Sequence, residues 1–141
     1  MRIDGAWRLC DDGVVRPIIW AEAEGDNGAW LPIVFLADCG ADRTVLSADA
    51  LASLGIEPLP AQEQISGIGG TTDSVVFDSR IRMRRNDGQT VLFHGQFAAA
   101  AETTALDMSV LGRDITNLLA LVVDRPSNVV CLLSRGEKYT T

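Results

Sequence analysis

Asp-x-Gly occurs three times in this sequence, and the surroundings of the copies differ. Asp11-Asp12-Gly13 and Asp26-Asn27-Gly28 lie in polar stretches, where such residues form turns and their acids stay solvated. Asp38-Cys39-Gly40 instead follows the apolar run Val34-Phe35-Leu36-Ala37 and precedes Ala41-Asp42-Arg43-Thr44-Val45-Leu46. An ionised carboxylate in apolar surroundings is costly, so it shifts its pKa, finds a partner, or both. The pattern predicts that Asp38 is carried inward at the end of a strand, which makes it the candidate catalytic acid. Other chemistries have little to work with. His94 is the single histidine, so no histidine triad can be built within one chain, and it reads as a strand residue hydrogen-bonded locally. Cys10, Cys39 and Cys131 are far apart with no C-x-x-C pair, which fits neither a disulfide framework nor a zinc site. No metal or cofactor is expected. A catalytic thiol at Cys39 is disfavoured, because no histidine is near in sequence and adjacent carboxylates oppose a thiolate.

The elements that must position Asp38 are short and mostly extended. Residues 6–10, 14–22 and 29–37 read as three strands joined by turns at Asp11-Asp12-Gly13 and Glu24 to Gly28. Residues 73–85 and 89–98 flank Asn86-Asp87-Gly88, a hairpin signal, and residues 118–124 and 128–133 flank Arg125-Pro126-Ser127 in the same way. Ser47 can cap a helix over 48–54 that stops at Gly55, and a second helix is expected over 113–118. Residues 98–101 are assigned to a strand and loop despite their alanines. Many strands and one or two short helices predict an all-β fold, a closed or nearly closed barrel.

Composition sets outer limits. The chain of 141 residues is expected to form a single domain, long enough to bury a core, and its apolar share of 47% is that of a globular protein. A formal net charge of −7 argues against a nucleic-acid partner, since no basic stripe is present to neutralise phosphates. The basic cluster Arg80-Ile81-Arg82-Met83-Arg84-Arg85 alternates as the solvent face of a strand would. The N-terminal residues do not read as a signal peptide, and no apolar run approaches the ~20 residues that span a membrane. A reduced, cytoplasmic setting without membrane contact is the expectation.

Three motifs, in order, resemble those of the retropepsin-like aspartic proteases, the family of the retroviral proteases and of the protease domain in DNA-damage-inducible proteins. They are the active-site turn Phe35-Leu36-Ala37-Asp38-Cys39-Gly40-Ala41, the glycine-rich flap Ile65-Ser66-Gly67-Ile68-Gly69-Gly70, and the apolar pair before Gly-Arg-Asp, Val110-Leu111-Gly112-Arg113-Asp114. The resemblance covers about residues 30–133 and implies a closed acid-protease barrel that hydrolyses peptide bonds in peptide or protein substrates. It implies substrate contacts from Gly40, Ala41, Asp42, Ile68, Gly69 and Gly70, with Cys39 and Arg113 supporting the site. Arg113 is expected to pair with Asp42 within one subunit, in a partly buried cleft where the pair would matter more than a surface ion pair.

Carboxylate-driven hydrolysis needs two carboxyl groups around one water, and two held close cannot both ionise. This chain supplies one such motif, so a two-fold homodimer would bring Asp38 to Asp38 of its partner. Cys39 departs from the family pattern, which has Thr or Ser there to bond across the dimer axis; a thiol is a much weaker donor. Two functions therefore stand at this level. One is a homodimeric aspartic endopeptidase. The other is a dimeric peptide-binding or scaffolding module of the same fold with weak or no turnover.

Overall fold

The computed structural model describes residues 1–57, 59–67, 70–101 and 108–136. Strand β3 (Val15–Glu24) shows how the barrel wall is written in sequence. Ile19, Ala21 and Ala23 are buried, while the alternate residues Trp20, Glu22 and Glu24 are exposed or half-buried. This is the period-2 pattern of a strand with one face on a core. Its neighbour β4 (Trp30–Ala37) repeats it with Ile33, Phe35 and Ala37 buried. The two pair antiparallel from Ile18↔Leu36 to Glu24↔Trp30.

Six strands close the barrel in the order β3, β4, β9 (Ser109–Leu111), β5 (Val45–Leu46), β8 (Thr90–Ala100) and β7 (Gly70–Arg84), with β7 returning to β3. The closing seam is narrow, registered by Glu22↔Arg82 and Ala23↔Ile81. Side chains on its outer face reinforce it. Arg82 lies 4.2 Å and Arg80 5.7 Å from the Trp30 ring, and they pair with Glu22 and Glu24 across the seam. Arg80, Arg82 and Arg84 alternate with the buried Ile81 and Met83, which accounts for the basic cluster as a solvent face. His94, opposite Arg80 on β8, is exposed.

Strand β2 (Ala6–Leu9) extends the sheet beyond β3, and β6 (Leu59–Gly67) extends it beyond β7. The β6–β7 hairpin pairs as far as Gly67↔Gly70, with an irregularity between Pro60 and Gln64. Helix α1 (Ala48–Leu54) forms where expected. The Ser47 hydroxyl accepts the Ala50 N–H at 3.2 Å, and Gly55 ends the helix at φ 68°, a left-handed conformation suited to glycine. Helix α2 (Arg113–Thr116) is shorter than the expected 113–118.

A second, three-stranded sheet joins the chain ends: β1 (Arg2–Asp4), β11 (Val129–Leu133) and β10 (Ala120–Asp124) in that order. Ile3 and Leu132 stand opposite each other and belong to the same core as Ile19, Phe35, Ile81 and Leu111. The Trp7 indole N–H reaches the carbonyls of Asp124 and Val129 at 3.2 and 3.1 Å, tying β2 to the β10–β11 turn. Among the described residues no helix is long and apolar enough to cross a membrane.

Candidate active site

The turn from Asp38 to Thr44 joins β4 to β5, and β9 lies between those two strands. It runs parallel to β4 (Phe35↔Ser109 to Ala37↔Leu111) and antiparallel to β5 (Val45↔Val110). The turn must therefore cross over the C-terminal end of β9. Gly112 sits at that crossing. A Cβ there would lie 2.2 Å from the carbonyl carbon and oxygen of Arg43 and 2.7 Å from the Thr44 nitrogen, so only glycine fits.

Backbone contacts seat the turn on the chain that leaves β9. The Asp38 N–H donates to the Leu111 carbonyl at 3.3 Å, and the Arg113 N–H donates to the Ala41 carbonyl at 2.9 Å. Within the turn, the Ala41 N–H donates to the Asp38 carbonyl at 3.3 Å, and the Gly40 N–H donates to Asp38 Oδ1 at 2.9 Å. At its far end, Thr44 N–H and Oγ1 both donate to Asp114 Oδ1, at 2.9 and 2.6 Å.

Asp38 is not carried into the core as its apolar neighbours suggest. Ala37 is the last buried residue of β4; Asp38 is half-buried, and Cys39 and Gly40 are exposed. The reason is strand parity: Ile33, Phe35 and Ala37 take the core face, leaving Val34 and Leu36 on the opposite face, with Asp38 next in that row. Leu36, the preceding residue of that row, stands beside Val110 of β9, and both are half-buried.

Ala41 is half-buried and Asp42 exposed on the same turn. Arg113 does contact Asp42, as expected, but the setting differs from expectation. The two side chains keep 46% and 81% of their surface exposed, so the pair is solvated rather than held in a partly buried cleft. Gly70 opens β7 opposite Gly67; Ile68 and Gly69 lie outside the described residues. Asp114 closes the third motif and Thr44 follows the first, and the resemblance assigns neither of them a role. A threonine leading into the buried pair Val45-Leu46, and an acid just before the buried Ile115, were the available signals.

A family profile described as "Aspartyl protease" matches residues 26–115. Among solved structures, the chain resembles a retropepsin-like aspartic protease from Rickettsia conorii, with a TM-score of 0.61 and 16% identity over 94% of this chain and 88% of that one. It also resembles EIAV protease in complex with the inhibitor HBY-793, with a TM-score of 0.51 and 22% identity over 72% of this chain and 86% of that one. No curated protein matches it. With its profile match reaching from the end of β3 to α2, through the Asp38 turn and the β6–β7 hairpin, the chain belongs to the aspartyl protease family and has the retropepsin-like fold.

Proposed function

We propose that the protein is a homodimeric aspartic endopeptidase in which Asp38 of each subunit supplies half of a catalytic dyad. The observation that carries this reading is that, of the three Asp-x-Gly turns, Asp38-Cys39-Gly40 directly follows an apolar barrel strand and leaves its acid half-buried on an open face rather than in the core. One carboxyl group is half of a hydrolytic site, and a two-fold partner supplies the other half. The second sheet gives such a partner somewhere to add: β10 is a terminal strand, with no strand on its outer edge among the described residues.

In the dimer one Asp38 is ionised and takes a proton from the water held between the two, while the protonated one donates to the scissile carbonyl oxygen. The water oxygen bonds to the carbonyl carbon, giving a tetrahedral diol. The Asp38 that took the water's proton then gives it to the leaving nitrogen while the other Asp38 takes a proton from a diol hydroxyl, and the C–N bond breaks to leave an amine, a carboxylic acid and the dyad with one proton again. Gly40, Ala41 and Asp42 hold the substrate backbone from the turn, and the tip of the β6–β7 hairpin (Ile68, Gly69 and Gly70) closes over it and excludes water. No cofactor takes part.

Incubation with a peptide library from acidic to neutral pH, with and without an aspartic-protease inhibitor, tests the proposal. Inhibitor-sensitive cleavage is expected, and Asp38→Asn, nearly isosteric, should abolish it while fold and dimer persist. Turnover retained in that variant would place the chemistry elsewhere. A folded dimer that binds peptides without cutting them would instead favour the scaffolding module.

A further inference from the structure

Thr44 ends the catalytic turn with its whole surface buried (0% exposed), although it carries a hydroxyl. Its polar groups are all engaged. The N–H and the hydroxyl donate to Asp114 Oδ1, the hydroxyl oxygen accepts the Gly112 N–H at 3.1 Å, and the carbonyl accepts the Ala98 N–H at 3.3 Å. Asp114 Oδ1 takes a third donor, the Ile115 N–H at 2.9 Å, which ties the carboxylate to the first turn of its own helix. Leu111 and Ile115 on either side are buried in the core, so residues 111–115 form a fixed seat for the turn.

The tethers between turn and seat differ in kind. Two are backbone hydrogen bonds, at Asp38 and Ala41, and they hold whatever side chains are present. The Arg113–Asp42 contact is solvated. The Asp114–Thr44 contact instead joins an exposed carboxylate to a fully buried residue, and its removal would leave the Thr44 N–H and hydroxyl without that acceptor. We propose that Asp114 is a positioning residue of the catalytic turn, clamping Thr44 so that the segment carrying Asp38 is held in register. Its link to catalysis rests on Asp38 acting as proposed above; its hold on the turn does not.

The test uses the full chain with Asp114→Ala, Asp114→Asn, Thr44→Val and Thr44→Ser, assayed at protein concentrations that saturate the dimer. Small displacements of reacting groups cost up to about 100-fold, so Asp114→Ala and Thr44→Val should lower kcat about 10- to 100-fold with KM little changed. Asp114→Asn, which keeps an acceptor oxygen, and Thr44→Ser, which keeps the hydroxyl, should recover most of that loss. Amide hydrogen exchange gives a readout independent of turnover. In Asp114→Ala the amides of residues 38–44 should exchange at least about 10-fold faster while those of β10 and β11 do not change. Wild-type kcat, or unchanged exchange over 38–44, in Asp114→Ala would overturn the proposal. If that variant does not fold, a Thr44→Ser no better than Thr44→Val would do so. If the wild type cleaves nothing, the endopeptidase reading falls, and the exchange measurement still decides whether Asp114 holds the turn.

Discussion

Cys39 and Arg113 show how exposure decides what a residue contributes. The Cys39 thiol is exposed in the single chain, on the turn that the proposed dimer would bring to its axis. Replacing it by threonine supplies a stronger donor and acceptor on each subunit. Two added hydrogen bonds, at ~0.5–1.5 kcal/mol each, give roughly 1–3 kcal/mol, or about 5- to 150-fold in dimer affinity. Cys39→Thr should therefore raise peptidase activity at low protein concentration, measured alongside sedimentation. If it abolishes cleavage, the thiol is itself catalytic or the turn is packed around sulfur. Arg113→Ala belongs at the other end of the scale. An exposed ion pair is worth ~0–1 kcal/mol, and the Arg113 N–H keeps its bond to Ala41 in the variant, so urea denaturation should show a loss within that range. A larger loss would mean that the guanidinium is buried in the working dimer.

Among the elements, long strands and capped helices could be read from the sequence, and short pieces defined by their partners could not. Apolar, β-type runs between turn signals marked β3, β4, β7 and β8, and Ser47 and Gly55 marked the ends of α1. Strands β5 and β9 have two and three residues, too few to display a period; they exist because each lies against strands of the barrel. β6 includes Pro60 and pairs on one side with β7, as proline in an edge strand allows, and its sequence from Leu59 to Gly67 does not alternate. β11 reads as a continuous apolar run because Val130 to Leu133 are all buried. The site was legible as far as Asp38 and Gly112 stand in motifs. The β4–β9–β5 crossing that makes Gly112 obligatory is a tertiary fact. Gly112→Ala should cost ~1–3 kcal/mol or more by overpacking alone, since φ −98° suits any residue and the obstruction is the Arg43 backbone. Gly95→Ala is the control: a Cβ there meets nothing within 4 Å, so thermal denaturation should show little loss or a small gain.

At the scale of the molecule, the barrel class followed from many short strands and the β10–β11 hairpin from its turn, whereas the pairing of β1 with β11 has no local signal. It joins Arg2 to Leu133, and the Met1 amino group donates to the Ser134 hydroxyl at 2.9 Å, contacts that only the folded chain brings together. The three-stranded sheet ends on β10, and the formal net charge is −7 per chain, so two copies that join must overcome mutual repulsion. Long-range repulsion between like-charged subunits is screened once the Debye length falls from ~30 Å at 0.01 M salt to ~3 Å at 1 M. Dimerisation and peptidase activity should therefore rise together with protein concentration, and the midpoint of that rise should move to lower concentration as salt is added. Analytical ultracentrifugation beside an activity titration, at low and at high ionic strength, measures both. Activity per chain that stays constant on extreme dilution would show one chain to be sufficient and would remove the need for a second Asp38. A midpoint that moves to higher concentration with salt would instead show that attractive ion pairs between the subunits outweigh the net repulsion, with the shared site intact.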